Sequence, residues 1–225
     1  MSLQDKTLFN GSGRLMFLTH RVEGLTELDE IRMAIEGGCS WIQLRMKEGV
    51  DRDTAREAAR LCASVNDRTV RLCVDDDIEA ALAEGASACH LGKNDMPVDE
   101  AWRMARERLA PDAPFYIGAT ANTFEDIQRA VRQGASYIGL GPYRFTSTKK
   151  KLSPILGLEG YRSIVAACRE AGIRIPILAI GGITLDDVAP LMETGVTGIA
   201  VSGAIIHAAD PIEATRRFIE AINIY

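Results

Sequence analysis

The stretch that decides the fold is "EGASACHLG", residues 84–92. Its glycine, Gly85, closes the helical pattern "DIEAALAEG", and an apolar strand begins two or three residues later. Three other segments repeat the phrase: "EGGCSWIQL" (36–44), "QGASYIGLG" (133–141) and "TGVTGIAVSG" (194–203). In each, the glycine reads as the left-handed C-terminal cap that stops a helix. These glycines, Gly37, Gly85, Gly134 and Gly195, stand 48, 49 and 61 residues apart. Two strand–helix units of about two dozen residues fill each interval, so the phrase marks every second strand of a longer array.

The intervening strands are "RLMFLTH" (14–20), "VRLCVDDD" (70–77), "PFYIGAT" (114–120) and "IPILAIGG" (175–182). Amphipathic runs such as "DRDTAREAARLCASV" and "TFEDIQRAVRQG" separate them. Eight Val-, Ile- and Leu-rich strands, each followed by a helix, suit burial on both faces. Such an α/β array closes most simply as a single-domain (β/α)8 TIM barrel over residues 14–225. A doubly wound open sheet is the fallback, but no G-x-G-x-x-G follows the first strand. Residues 1–13 are set aside as an N-terminal extension, opening with a Met-Ser-Leu that resembles a vector-derived leader.

The bulk composition narrows the partners. In 225 residues, 47% hydrophobic, the formal net charge is −5. That balance argues against nucleic-acid or anionic-membrane binding, so any anion site must be local. Five cysteines without CxxC or zinc-like spacing read as thiols, with Cys73 and Cys89 buried in strands. No stretch resembles a signal peptide or an 18-residue apolar span, which points to a soluble, cytoplasmic protein. A homodimer is compatible with the sequence, which does not fix the oligomeric state.

In a (β/α)8 barrel the chemistry sits at the C-terminal strand ends. Strand 2 ends in Gln43-Leu44-Arg45-Met46-Lys47, strand 3 in Asp75-Asp76-Asp77, and strand 4 in a turn closing with Asp95. Arg45 and Lys47 alternate, so they leave the strand end on one side, suited to gripping phosphate. Several carboxylates close together repel unless a cation joins them, and oxygen ligands without a histidine cluster favour Mg²⁺ over zinc. Strand 5 contributes Thr120 and Asn122. Glycine turns after strands 7 and 8, around Gly182 and Ser202-Gly203, occur where such barrels hold phosphate on backbone N–H groups. Either turn alone reads equally well as a tight loop; together they favour the phosphate reading. After strand 6 comes "RFTSTKKK" (144–151), hydroxyls and cations in a loop of about fifteen residues, long enough for a phosphate-gripping lid. The bland readings are solvated charges for the cations, a structural role for His90, a helix position for His207, and packing against helices for Trp41 and Trp102. His20 ends strand 1 and could line the mouth.

The segments "QLRMK", "VDDDIEAALAEGASACHLGKND", "GLGPYRFTSTKK", "PILAIGGIT" and "GIAVSGAI" occur in the order found in thiamine-phosphate synthases, and the resemblance spans about Leu15 to Ala221. The combination of QLRxK with GPxxxTxTK is specific, whereas each piece alone is weak. The resemblance implies a (β/α)8 barrel that joins an aminopyrimidine diphosphate to a thiazole phosphate, releasing diphosphate. It implies that Gln43, Arg45 and Lys47 hold the pyrimidine diphosphate and that Asp76 and Asp95 carry Mg²⁺. By the same likeness Thr120 and Lys149 lie near the diphosphate. It likewise implies that Thr146 and Thr148, with Gly182, Ser202 and Gly203, form the thiazole-phosphate pocket. The chain departs from the family pattern at three places. Asp75 replaces a usual asparagine, so a carboxylate stands where the family has an amide at the diphosphate. Lys93 replaces a glutamine in the turn before Asp95, adding a cation. Asn122 replaces a common histidine.

That last change bears on a related reading, a thiazole tautomerase that moves a proton with a histidine near this position. An asparagine amide is no general base. A non-catalytic binder of thiamine phosphate would have little use for a diphosphate grip. An unrelated sugar-phosphate isomerase leaves the paired aspartates unexplained.

Overall fold

A computed structural model describes residues 9–145 and 154–225. The expected Thr146, Thr148 and Lys149, with the rest of the Thr-Ser-Thr-Lys segment, lie outside the described residues.

Eight parallel strands close in sequence order: β1 (Leu15–Leu18), β2 (Trp41–Leu44), β3 (Arg71–Asp75), β4 (Ala88–Leu91), β5 (Tyr116–Ala121), β6 (Tyr137–Leu140), β7 (Ile177–Ile180) and β8 (Gly198–Val201). Closure is direct, since β1 pairs with both β2 and β8. The helices between them are α1 (Glu27–Glu36), α2 (Arg52–Ala63), α3 (Ile78–Ala83), α4 (Val98–Arg108), α5 (Phe124–Arg132), α6 (Gly157–Glu170) and α7 (Val188–Glu193). A single turn, α8 (Gly203–Ile206), and α9 (Pro211–Asn223) follow β8. Local chemistry sets the helix starts. Thr26 and Asp29 form a capping box on α1, and Asp51, Asp77, Thr123 and Asp210 each accept a backbone N–H at the start of a helix.

The helix-ending glycines behave as expected at Gly85, Gly134 and Gly195, whose φ values are +75°, +88° and +91°. The first marker is shifted by one residue: Gly37 is right-handed at φ −69° and Gly38 takes +96°. Gly37 is instead required by a close approach. A Cβ there would lie 2.5 Å from Thr215 Cβ on α9.

Period-two alternation divides the apolar residues into two separate sets. Phe17, Ile42, Leu44, Val74, Ile117 and their like face outward under the helices. Met16, Trp41, Cys73, Tyr137 and Leu178 face inward and fill the barrel. Trp41 therefore packs inside the barrel and not, as the sequence reading held, against helices. Phe9, from the segment set aside as an extension, joins it: the two rings stack at 5.3 Å and Tyr137 meets Trp41 edge-on at 5.7 Å. This plug closes the floor, so access is from the opposite end.

Tyr137 and His90 need room to lie across the interior. Glycines on β5 and β6 supply it: a Cβ at Gly118 would sit 2.2 Å from Tyr137 Cζ, and one at Gly139 would sit 3.0 Å from His90 Cε1. The Tyr137 hydroxyl lies 3.2 Å from His90 Nδ1, and His90 Nε2 lies 3.0 Å from Thr120 Oγ1. His90 is thus a buried, hydrogen-bonded residue below the mouth, as its structural reading requires.

Candidate active site

The three consecutive aspartates after β3 end up in three different environments. Asp75, buried, accepts from Gln43 Nε2 at 2.5 Å and pairs with Arg45 Nε at 3.3 Å. Asp77 caps α3, accepting from the Ala80 N–H at 2.8 Å. Between them Asp76 has φ +63°, left-handed backbone that a non-glycine residue adopts at a cost of order 1–3 kcal/mol. Its N–H donates to the His90 carbonyl at 2.8 Å, which ties it to β4.

The Asp76 carboxyl is thereby directed to the turn after β4, where its side chain meets that of Asp95. Asp95 Oδ2 accepts the Gly92 N–H at 2.7 Å. A Cβ at Gly92 would stand 2.6 Å from that oxygen and 3.8 Å from Asp76 Oδ1, so glycine is needed where the two carboxylates converge. Burial first, then the neighbouring Asp75 and Asp95 carboxylates, push the Asp76 carboxyl up to about 7. Two carboxylates with too little cation between them are the arrangement that a hard divalent ion relieves. Among the described residues no group of three His, Cys, Asp or Glu side chains is arranged to hold a metal. A pair of carboxylates suits Mg²⁺, which keeps several waters and takes further oxygens from substrate phosphates.

The cations sit beside this pair. Arg45 is fixed through its backbone, because its N–H donates to Thr19 Oγ1 at 2.8 Å and the same hydroxyl donates to its carbonyl at 3.1 Å. Lys47 is exposed and, with Met46, Asp75, Asp76, Asp77 and Met96, lines an open cleft of about 410 Å³. His20, at the end of β1, has a buried Nδ1 without a hydrogen-bond partner. Its own desolvation, then Lys47, Arg45 and His207, hold its pKa below the ordinary histidine value, so it stays neutral among the cations. His207 immediately follows α8, whose last residue is Ile206.

On the opposite side, the turn after β7 has φ +104° at Gly181 and +67° at Gly182. A Cβ at Gly181 would meet Pro142 Cα at 2.8 Å, and one at Gly182 would meet Arg144 Cβ at 2.9 Å. These glycines thus have a packing reason of their own: they let the turn dock on the segment leaving β6. Arg144 fastens that contact with an Nη1 and an Nη2 bond to Asp187, at 2.7 and 2.5 Å. Ser202, after β8, has a buried Oγ without a partner. Asn122 donates its side-chain amide to the Gly141 carbonyl, and its backbone N–H goes to Asp126 Oδ2 at 3.0 Å.

The structure therefore gathers Gln43, Arg45, Asp75, Asp76 and Asp95 into one connected group, with Lys47 at its edge. Thr120, on β5, is hydrogen-bonded to His90. Gly182, Ser202 and Gly203 lie at the ends of the last two strands. Sequence reasoning did not single out Thr19 or Asp126, nor the Arg144–Asp187 pair. Their partners are 26, 33 and 43 residues away, and no local pattern announces such pairings.

Fold and site together define a (β/α)8 barrel of the enzyme class, whose strand ends set cations beside a carboxylate pair of the kind that suits Mg²⁺. The sequence model described as thiamine monophosphate synthase matches residues 15–205. A thiamine-phosphate synthase of Bacteroides fragilis is 51% identical over 205 residues, 91% of this chain and 98% of the relative. One from Phocaeicola vulgatus is 50% identical over 215 residues, 96% of this chain and 98% of the relative. The solved thiamine phosphate pyrophosphorylase of Pyrococcus furiosus superposes with a TM-score of 0.79 at 31% identity, covering 95% of this chain and 97% of that one. The chain belongs to the thiamine-phosphate synthase family, transferases of thiamine biosynthesis. No helix among the described residues is long and apolar enough to cross a membrane.

Proposed function

We propose that the chain forms thiamine phosphate from 4-amino-2-methyl-5-hydroxymethylpyrimidine diphosphate and thiazole phosphate by a dissociative, Mg²⁺-dependent substitution. The observation that carries the metal-dependent site is the Asp76–Asp95 pair, held together beside Arg45 with no ion pair of its own among the described residues. Mg²⁺ held by Asp76 and Asp95, and completed by water and diphosphate oxygens, would neutralise charge on the leaving diphosphate.

The chain's own residues do the rest. Arg45, Lys47 and Lys149 bind the diphosphate and stabilise it as the methylene C–O bond breaks and the electron pair departs with oxygen. Gln43 and Asp75 keep Arg45 oriented, and Asp75 serves the diphosphate site through them. Thr120, hydrogen-bonded to His90, lines the same side. The electron-rich aminopyrimidine bears the transient cation until the thiazole nitrogen forms the new C–N bond. Thr146, Thr148, Gly182, Ser202 and Gly203 hold the thiazole phosphate, the orphaned Ser202 hydroxyl having a donor to spare. No proton transfer is needed, in keeping with Asn122 standing where a base would be required for tautomerisation. Catalysis is then positioning and leaving-group electrostatics. A cytoplasmic setting is in keeping with five buried, unpaired cysteines.

The test mixes purified protein with both substrates, in Mg²⁺ or in EDTA, and assays thiamine phosphate. Product in Mg²⁺ and none in EDTA supports the proposal. Equal product in EDTA removes the metal from it, and no product in either removes the reaction.

A further inference from the structure

The geometry points to Lys93 and Asp126 as positioning residues that hold the Asp95-bearing turn in place for metal binding. The turn is weakly supported by its own bonds. Asp95 Oδ2 accepts the Gly92 N–H at 2.7 Å, the Asp95 N–H reaches the Gly92 carbonyl at 3.3 Å, and Lys93, Asn94 and Asp95 are all exposed. Lys93 Nζ leaves the turn and meets Asp126 Oδ2 at 2.7 Å on the first turn of α5. The anchor itself is firm. Asp126 is buried, its Oδ2 also accepts the Asn122 N–H at 3.0 Å, its Oδ1 accepts from Arg129 at 2.5 Å, and its N–H bonds Thr123 Oγ1 at 3.2 Å. A half-exposed lysine tied to a carboxylate fixed from several sides pins the turn to α5.

The pair also settles the electrostatics of an ammonium one residue away from Gly92 and two from Asp95. Left free, its charge would compete with a divalent ion for the Asp76–Asp95 carboxylates. Paired with Asp126 at 2.7 Å, that charge is answered elsewhere. Asn122 extends the support, donating its side-chain amide to the Gly141 carbonyl at the end of β6.

This inference rests on Asp95 as a metal ligand, so its test includes that residue. Mn²⁺ binding by electron paramagnetic resonance and amide hydrogen exchange at residues 92–95 are compared for the full chain, Lys93→Met, Lys93→Arg and Asp95→Ala. Lys93→Met is expected to speed exchange in the turn and weaken Mn²⁺ binding by roughly three- to tenfold, the range of a partly exposed charged hydrogen bond. Its melting temperature is expected to fall modestly, because the substitution leaves the buried Asp126 with one partner fewer. Lys93→Arg keeps cation and donors and restores both readouts to within about twofold. Unchanged or tighter Mn²⁺ binding in Lys93→Met, with Asp95→Ala abolishing it, overturns the positioning role while leaving the metal site intact. Wild-type Mn²⁺ binding in Asp95→Ala overturns both.

Discussion

Two carboxylates on opposite sides of the mouth have contrary fates. Asp187, after β7, is matched: Arg144 grips it with two nitrogens, Thr184 donates both its backbone N–H and its hydroxyl, and the Tyr143 hydroxyl adds a bond at 3.3 Å. Despite partial burial, those partners hold its carboxyl below the ordinary aspartate range. Asp76, after β3, has no ion pair among the described residues: burial first, then the facing Asp75 and Asp95 carboxylates, raise its carboxyl to about 7. The same side chain is architecture where its charge is answered and a site where it is not. A fold tolerates the second arrangement, strained backbone included, when something outside the chain completes it.

The predictions break or sharpen that contrast. Asp95→Ala carries the largest effect, a loss of turnover of about a hundredfold or more, by analogy with removing one preorganised electrostatic contact. Its melting temperature should hold or rise as carboxylate repulsion is relieved. A large fall in stability would make Asp95 architecture after all. Arg45→Ala should likewise cost about a hundredfold in turnover, measured under saturating Mg²⁺. Near-normal rates in both variants would dismantle the site.

Asp187→Ala is the mirror experiment. It strips Arg144 and Thr184 of their acceptor and should cost about 1–3 kcal/mol of stability in denaturant unfolding, without a direct loss of metal response. Equal stability in the variant would mean that the pair is ornamental.

Glu30 sharpens the comparison from outside the mouth. Buried on α1, it accepts the His20 N–H at 2.8 Å with one oxygen and leaves the other unpartnered. Burial pushes its carboxyl from 4.5 up to about 7. A carboxyl raised in the folded state stabilises it in the neutral form, so that contribution is present below pH 4.5 and is lost as pH climbs towards 7. Glu30→Gln should therefore gain stability over wild type at pH 8, by up to about 3 kcal/mol, and little at pH 4. Parallel stability–pH curves for the two proteins would show that Glu30 is not the source.

Much of the barrel was legible because its punctuation is local. Helix-ending glycines and apolar runs recur along the chain, and each can be read within about ten residues. The off-by-one at Gly37 arose because two adjacent glycines can share the cap, and only contact with α9 decides between them. Trp41 was misread because both faces of a barrel strand are apolar, so composition does not say which faces inward. Phe9 gave no signal at all: its stacking partner lies on β2.

The site was legible as a list of residues at strand ends, since topology alone brings those ends together. Its internal wiring was not. Which of Asp75, Asp76 and Asp77 grips Arg45, which meets Asp95 and which caps a helix is set by one left-handed residue. Lys93 was visible as an added cation, but its anchor Asp126 lies on the next strand–helix unit and no spacing rule reaches it.

The measurement that bears most directly on the unmatched pair is anomalous scattering from crystals grown with Mn²⁺ and diphosphate. The account predicts a peak within about 2.2 Å of carboxylate oxygens from both Asp76 and Asp95, with diphosphate oxygens completing the shell. A peak elsewhere in the mouth, with Asp76 and Asp95 still facing each other across no ion, would contradict it.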